Sequence, residues 1–315
     1  MNQELVSSRF VRMLIIFVIV ALAGCSGVKY SLYDKAINHE RGKAGLTAKT
    51  IDIDGKSIAL METAGREAKP AIVLIHGFAA NKENWIRFAR QLPDSFHVVA
   101  IDLPGHGESF KDLDARYDLD DQVRYLREIL TTLSIQKFHL AGNSMGGAIS
   151  ALYAVAYPDQ VESLLLFDPS GIHEYDCELN RLLKAGEKNP LIVEREEDFD
   201  VLMDFALEEK PFIPWPITSV MAEKAVKNKP INDKIFSDLR GEHQYDFQEE
   251  LKRITAPTLI LWGAKDRIIA VENAQIFNQL IPGSKTVILE GIGHAPMIEA
   301  PEKSAKICLD FISSL

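Results

Sequence analysis

A serine lies at the centre of the glycine-rich segment Gly142-Asn143-Ser144-Met145-Gly146. Residues with strand character precede this segment from Phe138, and a helix-compatible run follows it. At so tight a strand-turn-helix junction only small residues fit two positions before and after the apex, and glycines occupy both positions here. The pattern therefore predicts that Ser144 presents its hydroxyl beyond the end of a strand, where it can act as a nucleophile.

A serine nucleophile needs a base to take its proton and an acid to orient that base. We expect the base to be His294, which follows the last strand on the glycine-flanked loop Gly291-Ile292-Gly293-His294. Two acids follow strands at the same edge of the predicted sheet, Asp266 and Asp168. Both satisfy the chain order Ser, Asp, His. Asp266 is favoured because the tight turn that begins at Gly263 presents its carboxylate, and Asp168 remains the alternative.

The negative oxygen that forms during acyl transfer needs backbone N–H donors. The amide of Met145 is predicted to be one donor, because it follows the serine at a helix start, where N–H groups are free. The second donor is expected from the loop after the first buried strand, and the Phe78 amide in His76-Gly77-Phe78 is the predicted group. The cysteines and histidines show no metal-ligand spacing, so we predict neither a metal nor a cofactor.

Strand-like and helix-like segments alternate along the chain on both sides of this serine. The predicted strands are 49–54, 57–62, 71–75, 96–101, 138–141, 161–167, 258–262 and 286–289. The first two flank Asp54-Gly55, a strong hairpin signal. The alternation predicts an α/β fold with a mostly parallel sheet of about eight strands, covered by helices on both faces.

The strand rhythm stops between residues 173 and 250, after the sixth predicted strand. Only helix-like stretches occur there, with a proline-rich apolar segment from Pro211 to Ile217. We expect this insert to form a helical cap over the carboxyl edge of the sheet. Since the prolines keep large side chains out of a helix, the sequence suggests substrate-binding roles for four residues of the segment: Phe212, Ile213, Trp215 and Ile217.

The N-terminal segment is predicted to lie outside the fold. Arg9 and Arg12 precede a short apolar run that ends in Leu22-Ala23-Gly24-Cys25, as in a secretory signal peptide. Those last four residues resemble the lipobox of bacterial lipoproteins, which implies lipidation of Cys25. We therefore predict a signal peptide at 1–24, a tether at 25–48, a core at 49–172 and 251–315, and a cap at 173–250. The alternative is an uncleaved N-terminal membrane anchor.

The composition is that of a globular protein. Hydrophobic residues make up 47% of the 315 residues and charged residues 25%, and the net charge is -10. Lys and Arg form no cluster, so we expect no nucleic-acid partner. Cys177 and Cys308 are expected to stay unpaired, because one is predicted in the cap and the other in the last core helix.

Taken together, these motifs resemble the α/β-hydrolase superfamily. They are the loops at 76–78 and 102–107, the serine turn at 142–147, the Gly-x-x-Asp turn at 263–266 and Gly293-His294. Within that superfamily the chain resembles membrane-associated monoacylglycerol lipases, bacterial family V lipases and membrane-anchored bacterial phospholipases A1.

The resemblance implies a serine esterase that cleaves acyl esters such as monoacylglycerols, lysophospholipids or phospholipids. Two alternatives are a carbon-carbon bond hydrolase of the same fold and a non-catalytic lipid-binding lipoprotein. The expected location is the bacterial cell envelope, tethered to the outer membrane and facing the periplasm, with the inner membrane as the alternative. Oligomers are possible.

Overall fold

The structure, a computed structural model, describes residues 26–65, 69–241 and 246–315. The predicted signal peptide and Cys25 lie outside the described residues. Within the described ranges, no helix is both long enough and apolar enough to cross a membrane.

Eight strands form one sheet at the centre of the molecule. The strands are β1 (Leu46–Ile53), β2 (Lys56–Thr63), β3 (Ala71–Ile75), β4 (His97–Ile101), β5 (Phe138–Asn143), β6 (Val161–Phe167), β7 (Thr258–Gly263) and β8 (Lys285–Leu289). Their order is β1-β2-β4-β3-β5-β6-β7-β8, and β2 alone runs antiparallel to its neighbours. The predicted eight-stranded, mostly parallel sheet is confirmed.

Helices cover both faces of this sheet. In chain order they are α1 (Ser26–Lys43), α2 (Ile86–Ala89), α3 (Leu119–Thr132), α4 (Met145–Ala156), α5 (Glu178–Lys184), α6 (Asp198–Ala206), α7 (Ile217–Lys227), α8 (Lys229–Leu239), α9 (Phe247–Leu251), α10 (Asn273–Leu280), α11 (Pro296–Glu299) and α12 (Pro301–Ser313). Short 3-10 turns occur at Lys82–Trp85 and Pro158–Gln160.

The apolar run of β3 shows why two layers of helices are needed. Val73 and Ile75 pack with α3 and α4 on one face, whereas Ile72 and Leu74 pack with α2 and α12 on the other. A strand buried on both faces has no polar side, which explains the continuous run in the sequence.

The N-terminal helix α1 differs from the sequence prediction. We expected a tether over residues 25–48, but Ser26–Lys43 forms 18 residues of helix. Tyr33 is buried against Ile217 and Val220 of α7. This tertiary contact stabilises a helix whose own sequence pattern is barely amphipathic, because packing contributes more to helix stability in proteins than local propensity does.

The insert between β6 and β7 contains helices α5 to α9 and, in its described residues, no strand. Its helix α8 lies over the loop that follows β4: a Cβ placed on Gly105 would come within 2.7 Å of Ile235 Cδ1. The end of α6 lies against the loop that follows β8, where the His294 amide donates to the Ala206 carbonyl at 2.9 Å. The insert therefore covers the carboxyl edge of the parallel strands.

Candidate active site

Ser144 lies at the apex of the turn between β5 and α4, with φ 56° and ψ -120°. A non-glycine residue rarely adopts a positive φ, and such strain is found at functional sites. The turn leaves no room for side chains on either side. A Cβ on Gly142 would lie 2.2 Å from the Gly146 carbonyl oxygen, and one on Gly146 would lie 2.4 Å from the His76 carbonyl oxygen. The glycines are thus required by close backbone approach.

His294 lies on the loop after β8 and is hydrogen-bonded to an acid from the loop after β7. Its Nδ1 is 2.8 Å from Asp266 Oδ2, and the Asp266 side chain is fully buried. Because a carboxylate only accepts hydrogen bonds, Nδ1 is the nitrogen that carries the proton. His294 Nε2 is then left to accept a proton from a serine hydroxyl.

Three further donors hold the Asp266 carboxylate in place. The indole Nε1 of Trp262 donates to Oδ2 at 3.1 Å, and the amides of Ile268 and Ile269 donate to Oδ1 at 2.8 and 3.0 Å. Asp266 is therefore held in a fixed orientation beside the imidazole.

The serine turn and the histidine loop meet through Asn143, the residue before the serine. Its side-chain amide donates to the His294 carbonyl at 3.0 Å and to the Phe167 carbonyl at 3.2 Å. The backbone of Ser144 is tied to β6 as well, since its amide donates to Phe167 at 3.0 Å. The candidate nucleophile and the candidate base are thus brought to one edge of the sheet.

Asp168, the alternative acid, has a different environment. It is fully buried at the end of β6, and its Oδ1 accepts the Gly263 amide at 2.8 Å. Its Oδ2 has no hydrogen-bond partner among the described residues. Burial, together with the nearby Asp266 charge, holds the pKa of Asp168 well above its usual range. Asp266 is therefore the acid that is hydrogen-bonded to His294. Asp168 instead holds the Gly263 amide at the end of β7, the strand that leads to Asp266.

Asp168, Asp266 and His294 also form the one group with metal-ligand potential in the described ranges. One ligand atom from each lies within 4.8 Å of the others. A metal ion there would have to replace the proton between His294 Nδ1 and Asp266, which are at direct hydrogen-bonding distance. The geometry suits the orientation of an imidazole better than it suits a metal centre.

The two predicted oxyanion donors belong to two segments that meet at the serine turn. Met145 begins α4, so its N–H has no partner within the helix. The loop that carries Phe78 packs on the serine turn: a Cβ on Gly77 would be 3.1 Å from Ser144 Cβ. Across the described chain, no hydrogen bond is found for the Phe78 amide. Both N–H groups are available to an oxygen beside Ser144.

His76 fixes the orientation of the second donor. Its Nε2 accepts the Leu103 amide at 3.0 Å, so the proton lies on Nδ1, which donates to the Gly77 carbonyl at 2.7 Å. In a trans peptide the carbonyl and the following N–H point in opposite directions. Holding the Gly77 carbonyl on one side therefore turns the Phe78 N–H to the other.

Two residues near the site were missed by the sequence analysis. Glu299 in α11 accepts the Gly293 amide at 3.0 Å, the Ala295 amide at 3.2 Å and the Glu208 amide of the cap at 2.9 Å. Phe236 in α8 packs against Phe78 with 5.5 Å between ring centroids. Neither residue belongs to a motif. The free amides of the loop around His294 were the one available signal, since they required a nearby acceptor.

The four predicted substrate-binding residues do not meet these groups. Ile213 and Ile217 pack with Tyr33 of α1. The side chains of Phe212 and Trp215 face outward, with 90% and 58% of their surface exposed. Prolines keep this segment open as expected, but it packs on the N-terminal helix, and α8 supplies the aromatic side chain that contacts the oxyanion loop.

Cys177 and Cys308 are unpaired, as predicted, and both are buried. Cys177 Sγ donates to the Ile268 carbonyl at 2.9 Å. Burial raises the pKa of the Cys308 thiol. Neither thiol is therefore suited to act as a nucleophile.

Comparison with known proteins supports the reading of the site as hydrolytic. The alpha/beta hydrolase fold family matches residues 70–196. Lipase 1 of Psychrobacter immobilis is 33% identical over 91% of this chain and 92% of its own length. Human monoacylglycerol lipase ABHD6 is 31% identical over 78% of this chain and 76% of its own. The crystal structure of a bacterial membrane phospholipase A superposes with a TM-score of 0.89 and 40% identity, covering 98% of both chains.

Proposed function

This chain belongs to the alpha/beta hydrolase fold family and is a lipid ester hydrolase, and on that premise we propose that it is a membrane-tethered lipase with an acyl-enzyme on Ser144. The observation that carries the proposal is the hydrogen bond between His294 and Asp266 beside the strained serine turn. Fluorophosphonate labelling of Ser144 and incubation of the enzyme with a membrane lipid extract test it.

The proposed reaction has two halves. Ser144 Oγ attacks the ester carbonyl carbon while its proton passes to His294 Nε2, and the amides of Phe78 and Met145 stabilise the negative oxygen. The carbon-oxygen bond to the alcohol then breaks, and His294 returns the proton to the leaving alkoxide. In the second half, water loses a proton to His294 and attacks the acyl carbon. The bond from that carbon to Ser144 Oγ then breaks, His294 returns the proton to Oγ, and the fatty acid is released.

The cap supports a preference for lipids with one chain at the site. Phe78 is half-buried and lies under Phe236, so an acyl chain that reaches Ser144 passes an aromatic wall. We infer a preference for monoacylglycerols, lysophospholipids or short-to-medium acyl esters over triglycerides, since a covered site admits one chain at a time. Phospholipids belong to the same proposal through the similarity to a membrane phospholipase A.

The carbon-carbon hydrolase alternative has weaker support. A serine hydrolase of carbazole degradation aligns with 26% identity and a TM-score of 0.72. Those values are lower than the 40% and 0.89 for the membrane phospholipase A. Small soluble substrates would also give no reason for the N-terminal anchor.

A fluorophosphonate probe tests the nucleophile directly. We expect it to label the wild-type protein at Ser144 alone, and Ser144→Ala to take no label. Incubation of the purified enzyme with a membrane lipid extract should then release free fatty acids, identified with their alcohol partners by mass spectrometry. Label on another serine would contradict the mechanism.

The anchor is tested separately at Cys25. With a palmitate analogue in the growth medium, we expect label on the wild-type protein and none on Cys25→Ser. This would support a lipoprotein in the cell envelope that faces the periplasm, with Ser26 after the cysteine favouring the outer membrane. An unlabelled wild-type protein that stays in the membrane fraction would instead indicate an uncleaved anchor in the inner membrane.

A further inference from the structure

The carboxylate of Glu299 accepts backbone N–H groups from two segments that are far apart in sequence. Its Oε2 accepts the Gly293 amide at 3.0 Å and the Glu208 and Glu209 amides at 2.9 Å each. Its Oε1 accepts the Ala295 amide at 3.2 Å. Two of these amides therefore belong to the residues on either side of the candidate base, and two belong to the cap segment that follows α6.

A carboxylate suits this position because it only accepts hydrogen bonds. Its two oxygens together offer about four lone-pair sites, which match the four N–H donors. An amide side chain of the same shape, that of Gln, would turn an NH2 group toward at least one of these donors and could not hold all four. The acid at position 299 is therefore specific to the contacts that it makes.

The same two segments are also in direct backbone contact. The His294 amide donates to the Ala206 carbonyl at 2.9 Å. A Cβ placed on Gly293 would lie 2.9 Å from the Glu208 nitrogen and 3.0 Å from the Ala206 carbonyl oxygen, so a side chain there would push the segments apart. The loop of the base and the end of α6 therefore form one unit around Glu299.

The position of the base depends on these contacts. Residues 290–295 form neither helix nor strand, so bonds to neighbouring segments hold them in place. The hydrogen bond to Asp266 orients the imidazole of His294, but the backbone that carries the ring is held by other groups. A displacement of about 1 Å at a catalytic group can lower a rate by roughly 10²-fold.

We propose that Glu299 is a positioning residue for the base: its carboxylate fixes the backbone on both sides of His294 and ties it to the end of α6. The proposal rests on the proposed role of His294, since Glu299 acts only through that residue. It also gives one end of the cap a part in catalysis besides covering the site.

The isosteric variant Glu299→Gln tests the proposal. We expect kcat for p-nitrophenyl acetate to fall by about 10²-fold, because both halves of the reaction use the displaced base. KM should stay within about twofold of the wild-type value, since acylation and deacylation slow together while the acyl site is unchanged.

The matched control is Asp198→Asn, a change at the other end of α6. Asp198 also accepts two backbone amides, those of Glu194 and Arg195 at 3.1 and 2.9 Å. At 1.5 Å per residue it lies roughly 12 Å along the helix from Ala206. We therefore expect this variant to keep the wild-type kcat, even where its melting temperature falls.

A double-mutant cycle separates positioning of the base from general support of the fold. In the wild-type background, Glu299→Gln should slow the labelling of Ser144 by a fluorophosphonate about 10²-fold. In the His294→Ala background the base is absent, so the same change should slow the residual labelling no further. The final extent of labelling counts the folded enzyme, and the rate reports on the base.

Three results would each overturn the proposal: a wild-type kcat in Glu299→Gln, an equal loss in Asp198→Asn, or a further loss in the His294→Ala background. If Glu299→Gln does not fold, Gly293→Ala disturbs the same contact through its Cβ alone and should lower kcat. A wild-type kcat in that variant would be equally decisive against it. A wild-type labelling rate in His294→Ala would instead overturn the proposed function, because His294 would then not be the base.

Discussion

The serine turn and the cap are built in different ways, although both lie at the carboxyl edge of the sheet. In the turn, backbone atoms meet so closely that Gly142 and Gly146 could not carry a Cβ. In the cap, Phe236 meets the site ring to ring, with 5.5 Å between its centroid and that of Phe78. Changes in the turn must therefore displace the reacting groups, whereas changes in the cap alter what those groups meet.

The ion pairs of the core and of the cap also differ in their solvent exposure. In the core, Lys82 is almost fully buried and pairs with Asp102 at 2.8 Å. In the cap, Lys188 pairs with Asp198 and with Glu194, and the side chains of Lys188 and Glu194 are both exposed. Exposed pairs contribute little to stability, and a buried charge is costly to leave without its partner. The difference implies a rigid catalytic core under an adaptable cover, which the following predictions test.

The largest expected effect is the loss of the reacting groups. Ser144→Ala and His294→Ala should each lower kcat/KM for a soluble p-nitrophenyl ester by about 10^4-fold or more, because the groups of a triad act as a unit. The circular dichroism spectrum and the melting temperature serve as controls and should stay near those of the wild type. A variant that keeps most of its activity would remove that residue from the mechanism.

The next largest effect should distinguish the two acids by the loss of kcat in their Asn variants. Asp266→Asn is expected to lower kcat by a factor on the order of 10^4, because the imidazole loses the partner that sets its tautomer. Asp168→Asn should have a far smaller effect, since Asp168 has a raised pKa and an uncharged amide can still accept the Gly263 amide. Steady-state kinetics of the two isosteric variants provide the comparison. The reverse ranking would transfer the role to Asp168.

Buried histidines of the core should make its stability dependent on pH. Burial lowers the pKa of His76 to about 4 and of His106 to about 3. The unfolded chain binds these protons near pH 6.5. Stability is therefore full above that pH and is lost as the pH falls toward 4, by about 1.4 kcal/mol per pH unit for each histidine.

Urea denaturation at pH 7.5 and pH 5 measures this dependence. The matched variant His106→Phe keeps an aromatic ring but cannot titrate. Its free energy of unfolding should therefore change with pH as if one proton fewer were taken up on unfolding. An unchanged slope would mean that His106 does not contribute.

The smallest effect is expected in the cap. Phe236→Ala should raise KM for a monoacylglycerol by several-fold, because the loss of one apolar contact costs about 1–2 kcal/mol of binding free energy. Hydrolysis of p-nitrophenyl acetate should stay nearly unchanged. Phe212→Ala, which removes an exposed ring of the same size, is the matched control and should leave KM unchanged for a monoacylglycerol dissolved in detergent. Equal losses on both substrates would indicate that Phe236 supports the fold and not the lipid site.

The sequence alone determined the parts of this protein that depend on local geometry. The serine turn, the strand order along the chain and the positions of Asp266 and His294 after strands follow from short spacings, because a tight turn and a doubly buried strand restrict their own residues. The fold class and the family were predicted on this basis and are confirmed.

Only the tertiary structure decided the contacts between distant segments. Both acids lie at the right edge, and a separation of 2.8 Å from His294 distinguishes Asp266. The contacts of Glu299 with the histidine loop, of Phe236 with Phe78 and of α1 with α7 join residues far apart in sequence. Such contacts depend on how helices pack on the sheet. The apolar pattern of a sequence predicts that a side chain is buried, but it does not predict which side chain will be its neighbour.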